Sequence, residues 1–264
     1  MLSLCFVSSA FVVLVTTVLL VGVAFFAFPY LGILPTLMLL VVVEIFAVSL
    51  IRRTSLKELS GIGILLFDKC DPDAYIRENE RLLRRLSFRS RYYATVKSNL
   101  AVGYYSRGET EKGMEVCRSL IAEKEGSGVP ILPVLYMNLC TMLLSLKHTE
   151  EAEEIFDKAY KLVLKFPENS PVGRQYRGQM NLLELRRRVM RETPDNCETQ
   201  LLQRFNKAAS VYERVNIQQL LSVLYNKQND MDKYRSSLQY IATKGNKLFI
   251  ACEARKTLEN VKSQ

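Results

Sequence analysis

The stretch "YMNLCTMLLSLKHTEEAEEIFDKAYKLVLKFP", residues 136–167, decides how this chain folds. Its first half is apolar at helical spacing, its centre is the polar turn "KHTE", and its second half mixes charged and apolar residues at intervals of three and four. That pattern describes two helices joined by a tight turn, each with a stripe to bury. Small residues stand where the stripes would meet. Cys140 precedes Leu143 by three positions, and Ala152 lies near the start of the second helix. A small side chain lets two helices approach, a large one fills the gap beside it, and neither helix buries its face alone.

The layout recurs on both sides of this stretch. "NLAVGYYSRGETEKGMEVCRSL" at 99–120 and "LLSVLYNKQNDMDKYRSSLQYI" at 220–241 superpose on "NLCTMLLSLKHTEEAEEIFDKA" at 138–159. Ala101, Cys140 and Ser222 correspond, as do Tyr104, Leu143 and Tyr225, then Gly113, Ala152 and Tyr234. The small positions are 39 residues apart from 101 to 140 and 82 from 140 to 222, which leaves room for one degenerate pair at 172–208. Helices are expected at 72–86, 88–106, 110–124, 130–146, 149–165, 172–192, 197–208, 211–228, 230–243 and 246–262. Clusters of Gly, Pro, Asn and Asp separate them, and no segment alternates as a strand would. Asp71 followed by Pro72 and Asp73 marks the start of the first.

Over roughly residues 88–245 this resembles the tetratricopeptide repeat family, a stack of antiparallel helix pairs. Leu139, Cys140, Leu143, Ala152, Phe156, Ala159 and Pro167 carry the clearest match; Leu100, Ala101, Tyr104 and Gly108 fit in the first copy and Tyr225 in the third. Gly113, Asn229 and Tyr234 depart from the family pattern. The resemblance implies a concave groove for an extended or helical peptide of a protein partner. The groove-facing positions it implies are Ser98, Val102 and Tyr105, then Met137, Thr141 and Leu144, then Gln219, Val223 and Asn226. The Lys and Asn residues with which some relatives clamp a terminal carboxylate are missing there, so a more apolar peptide is expected.

The N-terminal fifth reads differently. Residues 1–51 hold no Lys or Arg, and Glu44 is their only acid. Residues 4–28 exceed the roughly 20 apolar residues that span a bilayer. "PYLGILP" at 29–35 is a helix-breaking turn, and 34–51 form a second apolar stretch. A transmembrane hairpin follows, with a cleaved signal peptide as the competing reading of the first segment. An acid at mid-span costs about 3 kcal/mol, which the 12 Leu, Ile, Val and Phe of residues 34–51 offset by about 4–7 kcal/mol. Glu44 then needs a partner. Thr16 and Thr17 supply an internal clasp, another membrane subunit supplies a docking contact, and an ion path is the third option. Arg52, Arg53 and Lys57 close the second segment, so both termini are expected in the cytoplasm, of a bacterial cell membrane by the style of the chain.

The chain carries 36 basic and 27 acidic residues, and all the basic ones fall after residue 51. Two clusters hold six arginines each, "RENERLLRRLSFRSR" and "GRQYRGQMNLLELRRRVMRE". In the second, Arg174, Arg177, Arg187, Arg188 and Arg191 gather on adjoining helix stripes. Glu counterions, anionic lipid headgroups or an acidic protein would each neutralise them. Nucleic acid is disfavoured, because no recognised binding fold surrounds the arginines. Six cysteines at 5, 70, 117, 140, 197 and 252 show no paired spacing and read as free buried thiols. The single histidine, His148, lies in a turn; no catalytic, metal or cofactor motif is present, so a non-enzyme without cofactor is expected. The reading is an all-α protein: a transmembrane hairpin at 1–53, a juxtamembrane linker at 54–71 whose glycines weaken any helix, and a cytoplasmic tetratricopeptide-like α-solenoid at 72–264. Its expected work is scaffolding.

Overall fold

A polar turn can reverse a helix only if one residue takes up a left-handed backbone and the freed carbonyls find donors. The three aligned turns meet this demand at the same register. In a computed structural model of the chain, Gly108 (φ 96°), Lys147 (φ 62°) and Asn229 (φ 56°) are all left-handed. The structure describes residues 18, 22, 32–88, 90, 92–125, 130–191 and 196–262. From residue 32 onward these form eleven helices, and no strand occurs among the described residues. They are α1 (Ile33–Phe67), α2 (Pro72–Leu83), α3 (Tyr93–Arg107), α4 (Thr110–Lys124), α5 (Leu132–Ser145), α6 (Thr149–Leu164), α7 (Pro171–Arg191), α8 (Cys197–Lys207), α9 (Val211–Lys227), α10 (Met231–Lys244) and α11 (Phe249–Lys262). Asp71 caps α2 by accepting from the Ala74 N–H at 3.0 Å, and Ser210 and Asp230 cap α9 and α10 in the same way.

The helices pack as adjacent antiparallel pairs, as a helical repeat requires: α3 with α4, α5 with α6, and α9 with α10. The small residues do what their size allows. The Cys140 thiol lies 3.3 Å from the Ala152 carbonyl, and a Cβ on Gly113 would stand 2.9 Å from the Ala101 carbonyl. Both contacts join the same two repeat positions. Two copies also share a polar clasp: Tyr104 donates to Glu80 beneath Lys112, and Tyr225 donates to Glu198 beneath Lys233, with O···O distances of 3.0 Å. The degenerate pair forms α7 and α8, which touch each other and bridge α5 to α9.

The stack does not stay open. The first helices of successive pairs touch in the order α3, α5, α7 and α9, and α11 returns against α3 while α9 meets α1. One core cluster joins the two ends, with Ile62, Leu66, Cys70 and Tyr75 packed among Val215, Leu238, Ile241, Leu248 and Ala251. At its rim the 68–71 turn is tied to the 245–248 turn. Lys247 donates to Asp71 at 2.7 Å, its backbone N–H donates to Cys70 O at 3.2 Å, and Asn246 donates to Lys69 O at 2.8 Å.

Burial pushes the Asp71 carboxyl up, but the Lys247 and Ala74 donors outweigh it and hold the group below its ordinary range. A depressed carboxyl stabilises the fold above its unfolded value, near pH 4, and that stability is lost as pH falls through the folded value. Asp71→Asn keeps a good cap and removes the charge. Its urea midpoint should fall below that of the wild type at pH 6, and the two should converge as the pH drops below about 4.

One boundary differs from the sequence reading. Residues 54–67 are not a linker but the second half of α1, which runs unbroken for 35 residues, about 52 Å. Isolated glycines cost about 1 kcal/mol each in a helix, and a Cβ on Gly61 would meet open space, so it faces solvent. Burial of Ile62 and Leu66 on the opposite face outweighs that cost. Arg53 therefore lies inside a helix rather than after one. The segment 4–28 falls outside the described residues except for Val18 and Gly22. Among the described residues no helix is long and apolar enough to cross a membrane, and no hairpin is seen.

Candidate functional site

Closing the stack leaves a partly open cavity of about 260 Å³ where α3, α5, α9 and α11 converge. The end of α3 contributes Tyr105 and Ser106, and the end of α5 contributes Ser145 and Leu146. Tyr212, Asn216 and Gln219 line it from one face of α9, spaced three or four apart. Leu248, Phe249 and Ile250, where α11 starts, form the apolar wall. Phe249 is half exposed at the rim and is held there by close contact with Gly108, where a Cβ would collide at 2.6 Å.

The polar groups beside the cavity are mostly spent. Ser106 donates to Val102 O at 2.7 Å, so its oxygen accepts from the Tyr212 hydroxyl at 3.0 Å. Arg186, buried on α7, donates to the Tyr105 hydroxyl at 3.4 Å. Asn216 donates to Tyr212 O at 2.8 Å. Burial pushes the Tyr212 hydroxyl up to about 12, so the phenol stays protonated at neutral pH. The Gln219 side-chain carbonyl is the exception: it is shielded from water and has no hydrogen-bond partner among the described residues. An unpaired buried acceptor costs about 1–3 kcal/mol. The cavity thus offers apolar walls with the Glu111 carboxylate among its lining residues.

Of the nine groove positions implied by the resemblance, Tyr105 and Gln219 line this cavity. Ser98, Met137 and Leu144 are buried in the packing between helices and present no surface. Val102 and Val223 are half-buried against core clusters. Thr141 turns its hydroxyl back to Met137 O at 2.9 Å, and Asn226 is exposed at the end of α9. Ser106, Leu146, Tyr212, Asn216 and Phe249 escaped the sequence reading. The i, i+4, i+7 spacing of Tyr212, Asn216 and Gln219 was the available signal.

The second arginine cluster is engaged within the chain. Glu153 of α6 takes Arg187 at 2.5 Å and Arg191 at 2.9 Å, and Glu184 takes Arg187 again at 2.7 Å. Arg174 donates to Asn169 O at 2.6 Å and Arg177 to Phe166 O at 3.1 Å. Arg188 is half-buried beside the Cys197 thiol. Arg187 and Arg191 are thus paired with acids of the fold, and Arg174 and Arg177 with its backbone carbonyls.

Glu44 is exposed on α1, and Thr16 and Thr17 lie outside the described residues. The described cysteines are free, and burial pushes Cys70 up to about 11 and Cys117 and Cys140 up to about 12, which suits packing rather than reactivity. Among the described residues no cluster of His, Cys, Asp and Glu could hold a metal ion. His148 is exposed just before α6. No family model, curated protein or solved structure matches the chain.

Proposed function

We propose that the protein is a membrane-anchored, tetratricopeptide-like scaffold that recruits a protein partner to the cytoplasmic face of the membrane. The cavity between α3, α5, α9 and α11 takes an apolar side chain of the partner. The apolar wall of Leu248, Phe249 and Ile250, with Phe249 exposed at the rim, is the observation that carries this reading. The anchor rests on α1: Leu37, Met38, Val41, Val42, Ile45 and Phe46 are each more than half exposed and cover one broad half of its circumference. An exposed apolar face of that width calls for lipid or other helices against it. Arg53 and Lys57 favour the cytoplasmic side for the domain.

A second reading rests on Glu44, an acid exposed among those apolar residues, as the docking point for another membrane subunit. Cross-linking and pull-down of the full-length protein from intact membranes separates the two. Leu146→Trp fills the cavity and should reduce recovery of the partner about tenfold or more, with the helical circular dichroism unchanged. Glu44→Leu should leave recovery intact. The opposite result assigns recognition to α1 and removes the cavity from the account.

A further inference from the structure

The first arginine cluster is arranged unlike the second. The turn at 68–71 sends α2 back along α1: Phe67 meets Tyr75 edge-on at 6.3 Å, and Leu59, Leu82 and Leu86 pack on one cluster. At about 1.5 Å per residue, the 12 residues of α2 retrace the rise of α1 and bring Arg84, Arg85 and Phe88 to the level of about residues 53–57. Arg53 and Lys57 stand at that level on α1, immediately beyond its apolar half. All four cations are exposed, and among the described residues none of the four lies within ion-pair distance of a carboxylate. Phe88, four residues after Arg84, is 68% exposed. The acids of α2 are engaged elsewhere, Asp73 with Arg107 at 3.4 Å, Glu78 with Arg81 at 2.9 Å and Glu80 with Tyr104.

We propose that this end of the domain is a foot that stands on an anionic bilayer surface. Arg53, Lys57, Arg84 and Arg85 hold lipid phosphates and carboxylates, and Phe88 enters the boundary between headgroups and acyl chains. The inference rests on the membrane placement of α1 proposed above and adds a second, separate contact. Each basic residue near an anionic leaflet contributes about fivefold in affinity, and an exposed aromatic ring suits the interface. An acidic protein would satisfy the arginines but gives no reason for the foot to sit beside the apolar half of α1.

The chain contains no tryptophan, so Phe88→Trp creates a single fluorescent reporter at the foot, and Phe46→Trp creates one at mid-span. Both full-length variants are reconstituted into vesicles of phosphatidylcholine, with or without phosphatidylserine, carrying brominated lipids as quenchers. The expected result is shallow quenching of the Phe88→Trp reporter that requires phosphatidylserine. High salt should abolish it, as should Arg84→Glu with Arg85→Glu, while the Phe46→Trp reporter is quenched throughout. If Phe46→Trp is quenched and Phe88→Trp is not, the foot is wrong and the anchor stands. Quenching of neither reporter overturns both. Quenching of Phe88→Trp that ignores lipid charge and salt removes the four cations from the contact.

Discussion

Leu66→Ala should destabilise the protein by about 2–5 kcal/mol in equilibrium urea unfolding, the range for truncating a fully buried leucine. Leu66 has no exposed surface. It sits where α1, α2 and the last helices share one cluster, so the cavity it leaves borders Cys70 and Tyr75 and opens the seam between the two ends. Leu164→Ala is the control: that residue is 56% exposed on α6 and should cost less than about 0.5 kcal/mol. A Leu66→Ala cost as small as the control's would mean that α1 is not docked and that the stack is open. A cost in the expected range, with cysteine accessibility rising at Cys70 before Cys117, would locate the first opening at the seam.

Ala152→Leu tests the opposite error, too much volume in the closest helix–helix approach. Ala152 is fully buried, and its carbonyl is 3.3 Å from the Cys140 sulfur. Leucine there must push α5 and α6 apart, and overpacking of this kind costs about 1–3 kcal/mol. The equivalent position in the third copy is Tyr234, which is only half-buried, so Tyr234→Leu should cost distinctly less. Thermal unfolding followed by circular dichroism ranks the two. Equal costs would show that the aligned positions do not play different packing roles.

These two sites mark how far the amino-acid sequence could be read. Polar turns and apolar stripes are local signals, and the helices from α2 to α11 begin and end within a few residues of their expected places. Ala101, Cys140, Leu143 and Tyr225 are buried as their size and spacing implied. Closure is a different matter. The Ser106–Tyr212 contact joins residues 106 apart, and Arg186 reaches Tyr105 across 81. Repeat periodicity describes each pair and its neighbour but not whether the ends will meet. An open concave face was the natural expectation, and it failed at Met137 and Leu144, which other helices cover.

Charge was equally ambiguous. Arg187 and Arg191 read as a repelling pair in one helix because their shared acid, Glu153, lies on another. In α1 two glycines suggested a break, yet Ile62 and Leu66 carry the helix past them.

The unbroken course of α1 has a mechanical consequence. A helix resists torsion far better than a glycine-rich tether, and no hinge intervenes between Glu44 and the docked residues Ile62 and Leu66. The azimuth of the domain about the axis of α1 is therefore set by the number of residues between them. One added residue would turn the whole stack by about 100° and lift it about 1.5 Å, and seven would restore the heading to within about 20° while raising it about 10 Å. Whatever grips the lower end of α1 can thus apply torque to the cavity without touching it.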